Sequence, residues 1–168
     1  MNAQKQEATK YHLRRKDKEI TDQTELKRVL RTAKFVTIAL SVSNQPYLVS
    51  LSHGYDETKN CLYFHCAKVG KKIDYIKSND NVWGQALVDK GYAEGECDHL
   101  FVSVHFKGKV IFVEDPEEKQ AAIECMIRQL DRNPQPMIAR LKPERLKAVN
   151  IGRITIEEMT GKKHETKT

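Results

Sequence analysis

The stretch Leu62–Asn79, LYFHCAKVGKKIDYIKSN, decides the fold because it changes from a strand to a helix within a few residues. Its first five residues alternate between apolar and polar side chains, which predicts a strand with one buried face and His65 on the opposite face. Val69, Ile73 and Ile76 then recur at i, i+4 and i+7, the spacing of a helix with an apolar stripe. The residues between these two patterns form a strand-to-helix junction.

The junction, AKVGKK, combines a glycine with three lysines: Lys68, Gly70, Lys71 and Lys72. Free backbone N–H groups and the positive end of the helix dipole meet at such a junction. Lysines added there favour the binding of an anion, most naturally a phosphate. His65 then points toward the molecule to which that phosphate belongs. The alternative is a solvated basic helix start beside a half-buried histidine, and the local pattern alone leaves both interpretations open.

The composition indicates a single domain of 168 residues with its own core. No apolar run reaches membrane-spanning length, and the N-terminus is polar and charged rather than a signal sequence, so we expect no membrane association. The four cysteines form no C-x-x-C pair and no histidine stands at zinc spacing. We therefore expect reduced thiols, no metal site and a cytoplasmic location.

The net charge of +6 is concentrated at the two ends of the chain. Residues 1–19 hold six Lys/Arg against three acids, and residues 161–168 hold three against one, which leaves about +1 for the remainder. A nucleic-acid-binding protein would carry its basic face on the folded body, so we expect no nucleic-acid partner. The predicted organisation is a basic N-terminal arm (1–19), one domain (20–160) and a basic C-terminal tail (161–168).

Turn and capping signals divide the rest of the chain into strands and helices. Asp22 and Glu25 have capping-box spacing at the start of a helix, and Asp115 precedes another helix. Strands are predicted at Phe35–Leu40, Tyr47–Tyr55, Asn81–Val88, Phe101–Lys107, Lys109–Glu114 and Val149–Ile156, with a bulge or bend at Gly108, a loop at Lys90–Asp98 and a short helix at Pro143–Lys147. This order predicts an α+β, mostly β fold: an antiparallel barrel of six to seven strands with peripheral helices.

Ser50 and Ser52 share a face of the predicted strand Tyr47–Tyr55. Two hydroxyl groups on one strand can exchange hydrogen bonds with a flat polar ligand. They are equally typical of the solvated surface of an edge strand, which the residues alone favour.

Taken together, these stretches resemble the pyridoxamine-phosphate-oxidase-like split-barrel flavoproteins, and within them the Nim-type (5-nitroimidazole resistance) branch. The resemblance is carried by RRKDKEITD (Arg14–Asp22), QPYLVSLSHGYD (Gln45–Asp56), LYFHCAKVGKKIDYIKSN, FVSVHFKGKV (Phe101–Val110) and TGK (Thr160–Lys162). It spans nearly the whole chain, with the stretches in the family's order. It implies a split β-barrel and a homodimer that holds FMN in two symmetric sites between the subunits.

The resemblance also assigns roles to individual residues. Lys68, Lys71 and Lys72 would hold the FMN phosphate with the Gly70 backbone beside it, and His65 matches the family's active-site histidine. The isoalloxazine edge would be lined by Val49, Ser50, Leu51 and Ser52. Trp83, Ser103 and His105 are candidates to complete the pocket, from either subunit.

The implied activity is that of an FMN-dependent reductase, in which NAD(P)H supplies hydride and a nitroaromatic or related small electrophile receives the electrons. His65 would donate a proton or hydrogen bond to the nitro oxygen. The alternative is a flavin- or haem-binding protein without turnover, in which iron ligands would come from His53, His99, His105 or His164. The chain ends in GKKHETKT without the arginine-rich motif of the vitamin B6 enzyme, so B6 oxidation is not expected.

Overall fold

The structure, a computed structural model, describes residues 13–165, except the side chains of residues 143 and 145. Residues 1–12 and 166–168, which belong to the predicted basic ends, lie outside the described residues. The described part contains a short 3₁₀ turn at Lys16–Lys18, eight strands and five helices. In chain order these are β1 (Glu19–Ile20), α1 (Gln23–Thr32), β2 (Val36–Val42), β3 (Gln45–Leu51), β4 (Gly54–Asp56), β5 (Cys61–Cys66), α2 (Lys71–Ser78), β6 (Asn81–Ala93), β7 (Asp98–Phe112), α3 (Pro116–Leu130), α4 (Gln135–Ile138), α5 (Pro143–Lys147) and β8 (Asn150–His164).

All strand pairs are antiparallel, and the sheet order is β3-β2-β6-β7-β8-β5-β4, with β1 added along the distal part of β8. The two ends of this path, β3 and β4, do not pair, so the barrel is split rather than closed. This confirms the predicted fold class. The structure has eight strands. The predicted strand Tyr47–Tyr55 is interrupted at Ser52 and His53 and gives β3 and β4, and Glu19–Ile20 adds β1, whereas the two strands predicted at Phe101–Lys107 and Lys109–Glu114 are parts of the single strand β7.

The main core fills the inside of the sheet. Alternate residues in the middle of the long strands, among them Val82, Ala86 and Val104, point inward and are buried, and the apolar stripes of α1 and α2 pack against the same core. The most deeply buried side chains include Leu26, Leu30, Ile38, Leu62, Phe64, Phe106 and Ile154. Gly84 leaves room for the Phe106 ring and Gly152 for the Phe64 ring, since a Cβ at either glycine would lie 2.1 Å from the ring.

Helix α3 covers part of the outer face of the sheet. It packs on β4 and β5 over a second core made by Cys61, Tyr63, Val113, Ala122, Met126 and Ile151. Its start is fixed by Glu118, whose Oε1 accepts hydrogen bonds at 2.7 Å from the Tyr63 hydroxyl and from Arg153. Its middle lies so close to β4 that a Cβ on Gly54 would stand 2.6 Å from the Met126 backbone nitrogen.

Gln129 connects α3 to β4 and to α1 through hydrogen bonds. Its Oε1 accepts the Tyr55 backbone N–H at 2.9 Å, and its Nε2 donates to the Leu30 carbonyl at 3.1 Å. His53 is fully buried beside it and also reaches the Leu30 carbonyl through Nε2, at 2.8 Å. Its Nδ1 has no partner among the described residues, so the neutral tautomer with the proton on Nε2 fits this site. Burial accordingly lowers the pKa of His53.

Both predicted N-caps of long helices are confirmed, while some boundaries differ from the sequence prediction. Asp22 accepts the Thr24 N–H and Asp115 the Glu118 N–H. Glu25 does not complete the predicted capping box, because its carboxylate pairs with Lys163 at 2.8 Å. Val69 is not part of the helical stripe: Gly70 is the N-cap of α2, which leaves Val69 exposed in the turn.

The distal hairpin is longer than the sequence predicts. The predicted loop Lys90–Asp98 is mostly strand, since β6 runs to Ala93 and β7 starts at Asp98. Strand β8 likewise continues past Ile156 to His164. The predicted irregularity at Gly108 is confirmed as a register shift between β7 and β8, at a place where a Cβ would meet the Thr155 carbonyl oxygen at 2.1 Å. No helix in the described part of the chain is long and apolar enough to cross a membrane.

We predict that Gly54→Ala destabilises the fold by about 3 kcal/mol, because the new methyl group meets helix backbone that cannot move without displacing α3. The measurement is the free energy of unfolding from urea denaturation. Ser52→Ala, two residues earlier and exposed, serves as the control and should change the stability by less than about 0.5 kcal/mol. Equal stability of the two variants would contradict the close packing of α3 on β4.

We predict that His53 makes the fold less stable in mild acid. Its folded-state pKa lies below the unfolded value of about 6.5, so the unfolded chain binds a proton that the folded chain excludes. This stability is present above pH 6.5 and falls as the pH decreases, by up to about 1.4 kcal/mol per unit. The check is to measure the free energy of unfolding of wild type and of His53→Gln at a series of pH values and to follow the difference between the two. The glutamine keeps a hydrogen-bond donor for the Leu30 carbonyl and does not titrate. A difference independent of pH would refute the assignment.

Candidate functional site

The strand-to-helix junction presents unused backbone donors. Gly70, the N-cap of α2, has φ 130° and ψ 167°, a conformation that favours glycine, and no side chain caps the helix. The N–H groups of Ile73 and Asp74 both bond the Gly70 carbonyl. The N–H groups of the first helical residues have no intrahelical acceptor, as at any helix start, and they point out of the N-terminal end.

The junction lysines surround this helix end. The Lys71 ammonium lies 4.7 Å from the centroid of the Tyr47 ring and 5.4 Å from that of Tyr75, and the Lys72 ammonium lies 5.7 Å from the Phe64 ring. Lys68 is exposed in the turn. A cation–π contact at a surface is worth about 0.5–1 kcal/mol, less than a charge-assisted hydrogen bond, so these contacts do not stop the lysines from turning to an anion.

His65 stands next to the junction with an exposed side chain. In strand β5 it pairs with Ile151 of β8, two residues beyond the last residue of β5 that pairs with β4. Gly54 pairs with Tyr63, so the exposed Ser52, two residues before Gly54, lies at the same end of the strand pair as His65. Cys66 follows His65 but points inward, where burial raises the pKa of its thiol, which indicates a packing role.

A row of polar side chains crosses the outer face of the sheet. Its five members occupy paired positions on β3, β2, β6, β7 and β8: Ser50, Thr37, Gln85, His105 and Thr160. The Thr37 and Ser50 hydroxyls are 2.9 Å apart, and the Gln85 amide nitrogen is 3.1 Å from His105 Nε2. Because an amide N–H donates, His105 Nε2 accepts here and its proton lies on Nδ1. Partial desolvation lowers the pKa of His105.

The same outer face carries large apolar side chains that no other described residue covers. Leu48 is 65% exposed, Trp83 50% and Leu87 44%, and all three flank the polar row. Helix α3 covers the other part of the outer face, around β4 and β5. A flat apolar surface with a few directed hydrogen-bonding groups is the kind of surface that binds an aromatic ring or another protein surface.

The predicted site residues fall into two groups in one chain. His65, Ser52, Lys68, Gly70, Lys71 and Lys72 gather at the junction, while Ser50, Trp83, Ser103 and His105 lie on the open outer face. On β8, His65 pairs with Ile151 and His105 with Thr160, nine residues further on and hence about 30 Å along the strand. A single chain therefore does not bring His65 and His105 into one pocket.

Three predicted residues cannot present their side chains fully to a ligand on the outer face. Leu51 is buried in the main core and Val49 packs against it, so either could contribute only its backbone. Ser103 is 3% exposed, and its hydroxyl donates to the Lys162 carbonyl at 3.3 Å.

Sequence reasoning missed Thr37, Gln85 and Thr160. The alternation of NVWGQALV already places Gln85 on the same face as Trp83, so the signal was present in the sequence. The pairing of Gln85 with His105 depends on the register of β6 against β7, which the sequence did not reveal.

The described histidines do not gather into a metal centre. No group of three His, Cys, Asp or Glu side chains in the described residues is arranged to hold a metal ion. His53 is enclosed under α1 and α3. His99 and His164 are paired with Asp89 and Asp98 at 2.8 Å.

The fold is shared with several solved structures. A candidate 5-nitroimidazole antibiotic resistance protein from Bacteroides thetaiotaomicron is 23% identical, with 86% of this chain and 85% of that chain covered and a TM-score of 0.74. The flavocytochrome Anf3 from Azotobacter vinelandii is 13% identical over 93% of this chain and 73% of its own, with a TM-score of 0.78. The FAD and haem binding protein from Mycobacterium smegmatis is 14% identical over 89% and 74%, with a TM-score of 0.75.

Sequence comparison identifies the family of the chain. No curated protein matches the chain significantly. The family model described as pyridoxamine 5'-phosphate oxidase matches residues 22–163, which is most of the chain and includes both groups of site residues. The resemblance found in the sequence is thereby confirmed: the chain belongs to the pyridoxamine 5'-phosphate oxidase family.

Proposed function

We propose that this protein binds FMN and acts as an NAD(P)H-dependent reductase of nitroaromatic, 5-nitroimidazole-like or related small electrophiles. The observation that carries the proposal is the uncapped first turn of α2, where backbone N–H groups and two lysines lie beside the exposed His65. A helix N-terminus with free N–H groups and nearby lysines is suited to bind the phosphate of a cofactor.

The junction suits a phosphate in both charge and geometry. A phosphate monoester near neutral pH carries close to two negative charges, and its oxygens accept hydrogen bonds from several donors. Lys71 and Lys72 supply charge, and Lys68 can reach in from the turn. The helix end is open at Gly70, because no atom lies within 4 Å of the place where a Cβ would stand. In the described residues no acidic side chain pairs with any of these three lysines, so they do not need to break an ion pair to bind an anion.

The open outer face supports a homodimer with the flavin at its interface. Its exposed apolar residues leave a surface that a second copy can cover, and its polar row offers hydrogen bonds to the rim of a flat ring. Within one chain, His65 and His105 are too far apart to line the same pocket. Two copies that face each other can bring the junction of one chain next to the outer face of the other.

The chain's own residues would bind the cofactor, orient its ring and protonate the substrate. FMN, when bound, supplies the redox chemistry that connects a nicotinamide donor to the electron acceptor. Lys71 and Lys72 would anchor the phosphate, and Ser50 and Gln85 would orient the ring. His65 would donate a hydrogen bond or proton to the oxygen of the substrate on which negative charge develops.

Relatives and chemistry agree with this proposal. The Bacteroides neighbour is described as a nitroimidazole resistance protein, and other neighbours bind FAD, which supports a flavin and the Nim-type branch for this chain. All four cysteines are free thiols, which supports a cytoplasmic location.

A flavin- or haem-binding protein without turnover is the second candidate, because two structural neighbours are a flavocytochrome and a haem-binding protein. The absorption spectrum after addition of FMN and then of haem separates the two. A flavin spectrum with nicotinamide oxidation supports the reductase, and a Soret band without FMN uptake supports haem binding.

We predict that neutralising both Lys71 and Lys72 to Ala lowers the affinity for FMN by about 100-fold or more, since each charge-assisted hydrogen bond is worth about 1.5–3 kcal/mol. Affinity for riboflavin, which lacks the phosphate, should change little. Lys77→Ala, in the last turn of the same helix, is the matched control and should bind FMN like wild type. Equal losses for FMN and riboflavin would show that the lysines support the fold and do not contact the phosphate.

We predict that His65→Ala lowers the turnover of a 5-nitroimidazole by about 100-fold or more while the protein still binds FMN, because general acid catalysis typically contributes 10²–10⁴. The measurement is nicotinamide oxidation by FMN-loaded protein with and without the nitroimidazole. His164→Gln, distant from the junction on β8, is the control. Unchanged turnover in His65→Ala would remove His65 from the reaction.

A further inference from the structure

The polar row forms the floor of a trough with apolar walls on the outer face. Trp83 and Leu87 stand two residues before and two residues after Gln85 on β6, so all three point outward. The backbone positions of the two wall residues are about 13 Å apart, and their side chains are 50% and 44% exposed. Leu48 continues the wall of Trp83 over β3, across the small Ala39 of β2. A flat ring can therefore stand on edge between the walls, with that edge on the polar row.

The floor of the trough carries no formal charge. None of its five members is Asp, Glu, Lys or Arg, although the row crosses five strands. The lysines of the two adjacent rows are engaged elsewhere: Lys107 lies 3.9 Å from Glu157, and the Lys162 ammonium lies 5.7 Å from the centroid of the Phe101 ring. A floor without charge does not compensate the desolvation of an ion, so it favours a neutral polar edge.

The hydrogen-bonded pair in the middle of the floor leaves one donor and one acceptor unused. Because the Gln85 amide nitrogen donates to His105 Nε2 at 3.1 Å, Gln85 Oε1 remains an acceptor and His105 Nδ1–H remains a donor. Neither atom has a partner within the described part of the chain. Reversing the amide and the ring tautomer together would exchange donor and acceptor, and the pair would still offer one of each.

A donor beside an acceptor matches a ligand edge with the same two groups. A ring N–H next to a ring C=O, as in a lactam or a cyclic imide, bonds to both. A carboxylate offers only acceptors, so it would leave the Gln85 oxygen unpaired, which is costly once the edge is covered. The Thr37 and Ser50 hydroxyls are 2.9 Å apart, and after one has donated to the other a single O–H remains for a further carbonyl oxygen.

We propose that this trough binds the edge of a flat, uncharged heterocycle that carries adjacent ring N–H and C=O groups, with Gln85 and His105 bonded to that edge and Trp83 and Leu87 against the faces of the ring. The inference deepens the proposed function and rests on it, because the pyrimidine ring of a flavin has such an edge. It makes Gln85 and His105 the residues that select the ring, independently of the phosphate.

The test uses lumiflavin, which has the flavin ring without the phosphate, and its derivative with a methyl group on the imide nitrogen. Fluorescence titration of flavin-free, full-length protein should show saturable binding of lumiflavin. The methylated derivative should bind about tenfold more weakly, since its edge has lost the donor. In Gln85→Met, which keeps the length of the side chain without its hydrogen-bonding groups, lumiflavin should lose about tenfold in affinity and the preference over the methylated ring should disappear.

Gln120→Met is the matched control, because Gln120 is also exposed and hydrogen-bonded through its amide nitrogen, to Glu124 of α3, but lies outside the trough. It should bind both rings like wild type. Absence of saturable lumiflavin binding by wild type, equal affinity for the two rings, or an equal loss in Gln120→Met would each overturn the proposal.

Titration with FMN separates this inference from the proposed function. Lumiflavin binding that depends on Gln85, with FMN bound no more tightly than lumiflavin, supports the trough and contradicts the phosphate site of the proposed function. FMN binding that depends on Lys71 and Lys72 but is unchanged in Gln85→Met supports the phosphate site and refutes the trough alone.

Discussion

The coverage of the outer face of the sheet constrains this structure more than any other feature. A strongly curled sheet buries its inner face by itself, but its outer face needs something else to cover its apolar residues. Helix α3 does this over β4 and β5, where Gly54 lets helix and strand backbones approach closely. The remaining outer face, from β3 to the distal part of β8, carries Leu48, Trp83 and Leu87 in the open. That uncovered half is where a ligand or a second copy can bind.

Polar contacts hold α3 in the position that creates this division. Glu118 binds its start to β5 and β8, and Gln129 binds its end to α1 and β4. The buried His53 adds a hydrogen bond to the same Leu30 carbonyl. Such groups are costly when unpaired, so together they favour one docking geometry for the helix. With α3 fixed, the junction at His65 stays accessible at the edge of the covered region.

The strand-to-helix junction and the outer face offer complementary chemistry. The junction supplies positive charge and free donors, and the outer face supplies apolar area with a polar row that contains the hydrogen-bonded Gln85–His105 pair. A phosphorylated aromatic cofactor needs both kinds of surface. The two lie too far apart along one chain for His65 and His105 to share a pocket, which is why the proposed site needs a second copy.

Local patterns in the sequence determined most of the fold and the junction. Alternation, capping and turn signals depend on neighbouring residues, so the caps at Asp22 and Asp115, the bulge at Gly108 and the lysine-bearing turn could be predicted. The resemblance to a known family, which the family match confirms, supplied the split barrel. Only the tertiary structure decided which strands pair and in which register. It therefore revealed the pairing of Gln85 with His105 and of Asp89 with His99, since contacts between separate strands leave no local pattern in the chain.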